Sequence, residues 1–549
     1  MEERIRLAVQ EVLAQAGAPG LSPALERPAA GMHGDYATNA ALVAAKALGK
    51  SPRALAEDLA RALTKLLAAT AIKVEVAGPG FVNITLAREA VMAVIAEAAL
   101  RGDDWGRGNT EKGKRVMVEY SNPNAFKEMH VGHLLGTIIG ESISRLIENE
   151  GATVARDTFG GDVGPNVAKA LWALRKEGNN NPSDVRDIGR AYAEGARAYE
   201  EDTLAKEEID ALNQAIYARK DPVLVALWEK GRAISMEEFR RLWRLLGSRF
   251  DYEFFDSDTT ESGLRLVRDG LARGIFRESD DAVIYDGEKK GVHTMVFITS
   301  HDTPTYEAKD IGLAFLREER WPSDQVIIIT GNEQNGRFKT VFAALEELAP
   351  FVAAKTRQVG TGFLRLASGK MSSREGNVVT ASDFIESVVQ KAAEKNSDPL
   401  IAEQVAIGAI KYMVLRQAPG QDIIFDPEKS LSLQGDSGPY LQYALVRAKK
   451  ILTYAENGEG GSDEPETPYA IERHLIHFPE VVARAEKLLA PNLLVTYLTE
   501  LASAWNAFYA TEQVLGSPEE KYKQRVARAF AHTMENGLRL LGIPAPERM

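Results

Sequence analysis

Short apolar stretches that alternate with longer helix-like stretches place the strongest limit on the fold of this chain. RVMVEYS (Arg115–Ser121) has the length and apolar content of a buried strand, and HLLGTIIGESISRLIENEGA shortly after it has helical periodicity. HTMVFITS (His293–Ser300) and QVIIITG (Gln325–Gly331) are further predicted strands, and the last is as suited to a buried parallel sheet as the first. Strands separated by helices predict βαβ units, so we expect a multidomain α/β protein with a Rossmann-like, doubly wound parallel sheet.

The segments on either side of the predicted sheet follow other patterns. Residues 1–110 mix helices with short strands, including a hairpin in KVEVAGPGFVNITL, which predicts an N-terminal α+β domain. Residues 111–430 form the predicted Rossmann-like domain, and a charged stretch from about 170 to 250 predicts a helical insertion in it. Residues 431–549 have helical periodicity almost throughout, which predicts an all-α bundle. A chain of 549 residues is too long for one hydrophobic core, in agreement with several domains.

Composition excludes several classes of site. The chain has no cysteine, so disulfides, thiolate zinc sites and a cysteine nucleophile are excluded. It has no apolar run of about 18 residues, so we expect no membrane-spanning helix. The formal net charge of −12 argues mildly against nucleic acid as a partner, although a local basic face is sufficient for such binding. The basic run KYKQRVAR (Lys521–Arg528) fits a solvated helix face better than an RNA-facing stripe, and both interpretations stay open.

The first candidate site is KEMHVGHLLG, in which His130 and His133, two of only eight histidines, flank Val131 and Gly132. This stretch starts a helix, where unpaired backbone N–H groups and the helix dipole suit a phosphate. Gly132 lets a ligand approach the backbone, both histidines can donate to phosphate oxygens, and Lys127 adds a cation. Zinc needs three or four ligands and the HExxH pattern is absent, so a metal site is the weaker alternative. Two ordinary histidines remain a third interpretation of the motif by itself.

The second candidate site is GKMSSREGN, in which Gly369 and Gly376 bracket a polar, cationic loop. Such a loop can close over a polyphosphate, whereas taken alone it is more typical of an ordinary surface loop. HVGH after the first sheet strand and KMSS after the last together resemble the paired signatures of class I aminoacyl-tRNA synthetases. The resemblance assigns ATP binding and catalysis to Lys127, His130, Gly132, His133, Lys370, Met371, Ser372 and Ser373.

The flanking sequence resembles one family within that class, the arginyl-tRNA synthetases. The resemblance is carried by EYSNPNAFKEMHVGHLLGTIIGESISR, PTYEAKDIGLA, GNEQNGRFKTVF, QGDSGPYLQYALVRA and ENGLRLLGIPAPERM, and it extends from about residue 30 to Met549. It implies that arginine reacts with ATP to give arginyl-adenylate and pyrophosphate, and that the arginine is then transferred to the terminal ribose of tRNA-Arg. It also implies Mg2+ bound with the ATP phosphates, no zinc, and no metal held by protein side chains.

The same resemblance assigns a set of arginine-binding residues. A guanidinium is planar, always charged and rich in donors, so its site needs carboxylate and carbonyl acceptors. Tyr306 and Asp310 are four residues apart on a predicted helix and share one face, where Asp310 can accept two bonds while Tyr306 packs beside the group. A helix-surface pair is the alternative for these two, and a buried acid paired with a neighbouring arginine is the alternative for Glu119. The full set is Glu119, Ser121, Asn124, Tyr306, Asp310 and Gln334.

Three positions depart from the common pattern of the family. Ser373 replaces the second lysine of the loop signature, and we hypothesise that Lys127 compensates for it. Leu135 occupies the position of an arginine that commonly follows HVGHL. DVGPN (Asp162–Asn166) stands where the family commonly has DWGTQ, and we assign none of its residues to the site.

In this family the N-terminal domain contacts the D-loop of tRNA and the C-terminal bundle contacts the anticodon. Phe81 and Asn83 match an aromatic-x-Asn pair of the first domain. Such a pair suits RNA, because an aromatic ring can stack on a splayed base and an amide can bind its edge. Tyr509 and Met549 match anticodon-facing positions, although aromatic residues at helical spacing more often belong to a core. The resemblance further implies a cytoplasmic monomer that needs bound tRNA to activate arginine. Another class I synthetase and a catalytically inactive tRNA-binding paralogue are the alternative functions.

Overall fold

The computed structural model describes residues 1–28, 34–179, 181–367, 379–455 and 461–549. Within these ranges the chain forms an N-terminal α+β domain, a parallel-sheet domain with a helical insertion, and a C-terminal helical domain. Hydrophobic residues of all three domains pack into one continuous core cluster. The predicted fold class is confirmed.

The N-terminal domain is an antiparallel sheet with helices packed on it. Its elements are α1 (Glu2–Gln15), β1 (Leu25–Glu26), β2 (Tyr36–Thr38), α2 (Ala40–Leu48), α3 (Pro52–Leu66), β3 (Ala71–Ala77), β4 (Phe81–Leu86) and α4 (Arg88–Arg101). The strands lie in the order β1-β2-β4-β3, and β3 and β4 form the hairpin predicted from KVEVAGPGFVNITL. The Ser51 side chain caps α3 by accepting a hydrogen bond from the amide of Ala54, and Pro52 occupies the first turn.

The second domain carries the parallel sheet and the insertion. Its elements are β5 (Arg115–Glu119), α5 (Val131–Asn149), β6 (Thr153–Gly160), α6 (Pro165–Lys176), α7 (Val185–Glu201), α8 (Thr203–Ala218), α9 (Pro222–Leu245), β7 (Tyr252–Phe255), α10 (Asp256–Ala272), β8 (Arg277–Ser279), β9 (Ala282–Tyr285), β10 (Met295–Ile298), α11 (Tyr306–Arg320), β11 (Gln325–Gly331), α12 (Asn335–Leu348), α13 (Pro350–Lys355), β12 (Thr356–Thr361), β13 (Leu364–Leu366), α14 (Ala381–Ala393), α15 (Pro399–Leu415), β14 (Ile423–Phe425) and α16 (Pro427–Ser430). The helices α6 to α9 connect β6 to β7 and contain a separate small core.

Five strands form the central parallel sheet in the order β12-β11-β5-β6-β7. Val116, Met117 and Val118 in β5 are fully buried, as expected for a central strand covered by helices on both faces. The chain builds outward from β5 to β7 on one side and from β11 to β12 on the other. The strand order therefore reverses between β5 and β11, which makes this a doubly wound sheet.

The segment HTMVFITS forms a strand outside the parallel sheet. Its strand β10 pairs antiparallel with β9, in a three-stranded sheet with the order β10-β9-β8. Val296 is exposed while Phe297 and Ile298 are buried, so only part of the strand faces a core. An antiparallel sheet tolerates a solvated face, which explains why a strand of mixed burial occurs here and not between the buried parallel strands.

The C-terminal domain is a helical bundle that also packs on the N-terminal domain. Its helices are α17 (Gly438–Ala455), α18 (Ala470–Leu475), α19 (Phe478–Lys487), α20 (Pro491–Thr511) and α21 (Glu520–Leu540). Trp105 Nε1 donates to Thr533 Oγ1 at 3.0 Å, and Arg88 Nη1 lies 2.6 Å from Glu472 Oε2. These buried polar contacts fix α21 and α18 against the segment around α4.

The basic run Lys521–Arg528 lies in α21 and differs from both interpretations of the sequence. Tyr522 and Lys523 are buried, and Lys523 Nζ lies 2.9 Å from Glu512 Oε2. Lys521 and Arg528 are exposed. The run is therefore neither a fully solvated face nor a continuous RNA-facing stripe, because half of it packs into the bundle.

Candidate active site

The candidate site lies where the strand order of the parallel sheet reverses. β5 and β11 are neighbours there, with Glu119 opposite Ile328. In open α/β sheets, ligands bind in the crevice outside the carboxyl ends of the strands at such a switch point. The loop after β5 leads to His130, and the turn after β11 carries Gln334. The loop that carries His130 and the turn that carries Gln334 thus follow neighbouring strands.

The loop between β5 and α5 has an unusual backbone that contacts with β6 hold in place. Ser121 and Asn122 have positive φ angles of 75° and 53°, a region that residues with a side chain rarely adopt. Such conformations cost about 1–3 kcal/mol each and persist only where the surroundings fix them. The Asn122 Oδ1 accepts the amide of Phe159 at 2.9 Å, and the Asn124 Oδ1 accepts the amide of Gly161 at 3.0 Å. Asn124, a predicted arginine-binding residue, is therefore held with its amide nitrogen as the remaining polar group.

Ser121, another predicted arginine-binding residue, lies behind this loop. Its side chain is buried, and its hydroxyl accepts a hydrogen bond from Trp243 Nε1 at 2.9 Å. Thr137 Oγ1 lies 2.9 Å from the same hydroxyl. The Ser121 side chain thus ties the loop to α9 and to α5.

His130 and His133 form a paired cap at the start of α5. The amide of Gly132 donates to His130 Nδ1 at 3.0 Å, and the amide of His130 donates to His133 Nδ1 at 3.2 Å. The two rings stack with their centroids 3.7 Å apart. A Cβ on Gly132 would lie 2.8 Å from His130 Cε1, so a side chain at this position would push the ring out of the cap.

This cap decides which ring atoms can act on a ligand. An imidazole nitrogen that accepts a backbone N–H carries no hydrogen, so each neutral ring holds its proton on Nε2. Burial, followed by the charge of Lys127, lowers the pKa of His130. Burial, followed by His130 and Lys127, holds the pKa of His133 well below its usual value. Both rings are therefore neutral Nε2–H donors at neutral pH.

The expectation of unpaired backbone N–H groups at the start of α5 is corrected by this geometry. The amide of Gly132 is taken by His130, and the amide of His133 donates to the His130 carbonyl at 3.0 Å. Histidine side chains replace the more familiar serine, threonine or aspartate cap here, which the spacing alone did not indicate. The amides of Gly132 and His133 are therefore not available to a ligand, and the polar groups that the two side chains leave free are the imidazole Nε2–H groups.

The residues after the KMSS loop approach the histidine pair. Lys370, Met371, Ser372 and Ser373 lie outside the described residues. Thr380 forms an antiparallel bridge with His130, and the amide of Ala381 donates to the carbonyl of Met129 at 2.7 Å.

Lys127 is half-buried, with Nζ 4.3 Å from the centre of the Tyr192 ring of α7.

Two of the predicted arginine-binding residues, Asp310 and Gln334, lie together and hold a guanidinium of the chain itself. Arg337, in the first turn of α12, donates from Nε to Gln334 Oε1 at 2.9 Å and from Nη1 to Asp310 Oδ2. Burial raises the pKa of Asp310 to about 6, although Arg337 opposes that rise. The negative charges of Glu119 and Glu307 raise it further. Asp310 and Gln334 therefore form one acceptor pair.

Glu119 is also paired with an arginine, Arg317 of α11. The Arg317 guanidinium donates to Glu119 Oε2, and its Nη2 and Nε lie 2.6 Å and 2.9 Å from Asp157 Oδ2. All three side chains are almost completely buried. Burial raises the pKa of Asp157 to about 6 against the opposing effect of Arg317. The contacts of Glu119 are those of the alternative interpretation, a buried acid paired with an arginine. Glu119 also lies at the crevice.

A small cavity lies beside the Glu119–Arg317 pair and reaches Asp310. Its polar wall consists of Glu119, Asp310 and Arg317, and apolar side chains of β11, α11 and α12 form most of the remainder. The cavity holds about 20 Å³, which is room for a water molecule and not for an amino acid, so it lies behind the crevice and is not the substrate pocket itself. Tyr306, at the start of α11, is 55% exposed and does not line this cavity.

Four charged residues of the site were not singled out from the sequence. Arg337 stands three residues after Gln334 in GNEQNGRF, and Lys309 stands between Tyr306 and Asp310, but neither position discloses a partner. Lys309 Nζ contacts Asp256 Oδ2 at 2.9 Å, and both are buried. The residues missed are Asp157, Lys309, Arg317 and Arg337.

The residues predicted to contact tRNA have different exposures. Phe81 is half-buried at the start of β4, whereas Asn83 is buried within the same strand. Tyr509 is exposed on α20, with the Arg447 guanidinium 3.8 Å from its ring centre, while its neighbour Phe508 is buried. Met549 is half-buried at the end of the chain.

Metal-binding clusters and membrane-spanning helices are both absent from the described residues. No group of three or more histidine, aspartate or glutamate side chains in the described ranges could hold a metal ion. None of the helices in those ranges combines the length and the apolar character needed to cross a bilayer.

Comparison with known families matches nearly the whole chain. Residues 95–427 match the model described as tRNA synthetases class I (R), catalytic domain. Residues 3–86 match the arginyl tRNA synthetase N terminal domain, and residues 441–549 match the DALR anticodon binding domain.

Individual relatives agree with these matches. The alignment with the arginine–tRNA ligase of Treponema pallidum has 32% identity over 588 residues, and it covers 100% of this chain and 99% of the relative. It is 31% identical to the arginine–tRNA ligase of Treponema denticola, over 92% of this chain and 91% of the relative. The Thermus thermophilus arginyl-tRNA synthetase structure superposes with a TM-score of 0.83 at 26% identity, with all of both chains covered. The chain belongs to the arginyl-tRNA synthetase family.

Proposed function

We propose that this chain activates L-arginine with ATP to form arginyl-adenylate, and then transfers the arginine to the 3'-terminal ribose of tRNA-Arg. As a member of its family the chain is an ATP-dependent arginine–tRNA ligase. The observation that carries the assignment of residues is the crevice between β5 and β11. β5 ends at Glu119, the loop after it leads to the histidine pair, and the turn after β11 carries Gln334 of the acceptor pair Asp310–Gln334.

The acceptor pair explains the choice of amino acid. A guanidinium offers parallel N–H donors, and a carboxylate beside an amide carbonyl accepts them with fixed geometry. The bonds from Arg337 to Asp310 and Gln334 support this, because they are made by a guanidinium. Tyr306 packs beside the substrate guanidinium, and Glu119 and Asn124 contact the other end of the substrate. Ser121 fixes the loop that carries Asn124.

The histidine pair acts on the phosphates of ATP. Displacement at the α-phosphate leaves catalysis mainly to positioning and charge stabilisation. His130 and His133 donate from Nε2–H to phosphate oxygens, and Gly132 keeps the turn open to the ligand. Lys127 supplies a nearby cation, as its effect on both histidine pKa values supports. Lys370, Met371, Ser372 and Ser373 close over the pyrophosphate, and Mg2+ is carried by the phosphate oxygens.

Contacts with tRNA involve both terminal domains. We assign a base-stacking role to Phe81 and Tyr509, since both rings have exposed area, and an anticodon contact to Met549. Asn83 is assigned to the same D-loop surface, with its buried amide shaping the strand. The enzyme works as a monomer in the cytoplasm, and bound tRNA is needed for activation.

Pyrophosphate exchange with each amino acid in turn, with and without tRNA-Arg, tests the proposal. Exchange with arginine alone, and only when tRNA is present, is the expected result. Exchange with another amino acid would overturn the specificity. Exchange with none would mean that the chain binds tRNA without catalysis.

A further inference from the structure

The guanidinium of Arg337 occupies the place assigned to the substrate guanidinium. It donates to both members of the acceptor pair, Asp310 and Gln334, from two of its nitrogens. Its side chain is 21% exposed, and that of Asp310 is 12% exposed. A ligand guanidinium could not make this same pair of bonds, to Asp310 Oδ2 and Gln334 Oε1, while Arg337 makes them.

The charges around Asp310 require a cation at this position. Glu119 and Glu307 both raise the pKa of Asp310, and all three side chains have little contact with solvent. A buried carboxylate without a partner is strongly unfavourable, and like charges nearby add to the cost. In this structure the cation at this position is Arg337.

We propose that arginine enters by exchange, in which Arg337 holds the guanidinium pocket until the substrate guanidinium displaces it. This inference rests on the proposed function and deepens it. Arg337 lowers the affinity of the pocket, because every ligand that uses these acceptors bears the same cost of displacing an internal guanidinium. Among such ligands, only a planar, fully charged group restores both the charge and the hydrogen bonds that Arg337 gives up.

The anchoring of Arg337 allows the exchange. Its backbone lies in the first turn of α12, directly after the turn that carries Gln334, and its guanidinium lies 4.5 Å from the centre of the Phe338 ring. Rotation about side-chain bonds suffices to release the two hydrogen bonds, so no strand or helix has to move. Arg317, with contacts to two buried carboxylates, has no comparable exit.

Calorimetric titration of the full chain with L-arginine tests the exchange. Arg337→Met removes the internal competitor and keeps a side chain of similar length. The expected result is an arginine Kd about 10- to 100-fold lower than in the wild type, since charged hydrogen bonds no longer oppose binding. The KM for ATP should not change. An unchanged or weaker arginine affinity would overturn the proposal.

Controls separate the exchange from other effects. Arg240→Met removes a surface arginine that pairs with Glu253, and it should leave the arginine Kd unchanged. L-norleucine, which offers no donor to the acceptor pair, should gain no affinity in Arg337→Met, whereas an equal gain for norleucine would indicate mere widening of the pocket and refute exchange. If Arg337→Met does not fold, Arg337→Lys should give an intermediate gain, because one ammonium competes less well than a planar guanidinium. Wild-type protein that neither binds nor activates arginine would refute the function itself.

Discussion

Replacing Arg317 with methionine removes the cation from between two buried carboxylates under the site. The Arg317 guanidinium contacts Asp157 Oδ2 at 2.6 Å and 2.9 Å and also contacts Glu119. Asp157 is fully buried, and its Oδ1 has no hydrogen-bond partner among the described residues. The substitution therefore leaves two negative charges facing each other in a region closed to solvent.

The expected loss of stability is large for a single substitution. Breaking a buried ion pair by removing one partner costs about 3–5 kcal/mol, because the remaining charge is uncompensated. Arg317→Lys retains the charge but not the planar donor set, so we expect a loss of about 1–2 kcal/mol for the missing charged hydrogen bond. Arg268→Met removes an arginine from an exposed pair with Asp302 and should cost below about 1 kcal/mol.

The loss in Arg317→Met should shrink at low pH. The pKa of Asp157 is already raised to about 6, and removal of the opposing Arg317 raises it further. A carboxyl group whose pKa is raised in the folded state destabilises the fold when it is ionised. The stability lost in Arg317→Met is therefore largest at high pH and falls as the carboxyl takes up its proton. One group contributes at most about 1.4 kcal/mol per pH unit, so we expect a recovery of about 2 kcal/mol between pH 8 and pH 5.5.

Hydrogen exchange of the amides of β5 and β6 measures the loss of local stability around Arg317 and its dependence on pH. These strands carry Glu119 and Asp157, so their opening free energy reports on the pair without requiring two-state unfolding of several domains. Wild type, both Arg317 variants and the surface control are compared at pH 8, 7 and 5.5, after correction for intrinsic exchange. A deficit for Arg317→Met that is equal at pH 8 and pH 5.5 would refute the reasoning.

Two other predictions concern lysines. Burial, followed by the charge of Arg145, lowers the pKa of Lys411 to about 7, while the unfolded chain keeps that proton up to about 10.5. Wild type should therefore gain stability relative to Lys411→Met between pH 7 and pH 9 in thermal unfolding, and a flat or falling difference would contradict the lowered pKa. Lys127→Ala should reduce adenylate formation about as strongly as Lys370→Ala, by roughly 10²-fold for a lost charge-stabilising donor. Intact activity in Lys127→Ala beside loss in Lys370→Ala would show that Lys127 does not compensate for Ser373.

The strongest local patterns in the sequence predicted the corresponding elements. RVMVEYS and QVIIITG became neighbouring parallel strands because their unbroken apolar runs suit a sheet covered on both faces. HTMVFITS became a strand for the same local reason, but its pairing with β9 depends on a partner that no local pattern identifies. The sequence of this segment therefore predicted a strand, but it did not predict the sheet to which the strand belongs, because that depends on tertiary packing.

The contacts of the site were less predictable than its residue types. Glu119 and Arg317 are 198 residues apart in sequence, and only the packing of α11 against the sheet brings them together. The histidine pair was predicted at a helix start, but the mutual cap through Nδ1 depends on ring orientations that the spacing does not fix. The tautomer, and with it the Nε2–H donors, followed only from the folded backbone.

The two internal arginines follow from the chemistry of the substrate. A pocket that accepts a guanidinium must gather buried carboxylates, and without a ligand those carboxylates repel each other and lose solvation. Arg317 neutralises two of these carboxylates whether or not a ligand is bound, because it is 3% exposed and is shared by two acids. Arg337 is more exposed and contacts one acid and one amide, so a competing guanidinium of equal charge can replace it at little net cost. Burial and the number of acid partners thus separate a fixed arginine from an exchangeable one.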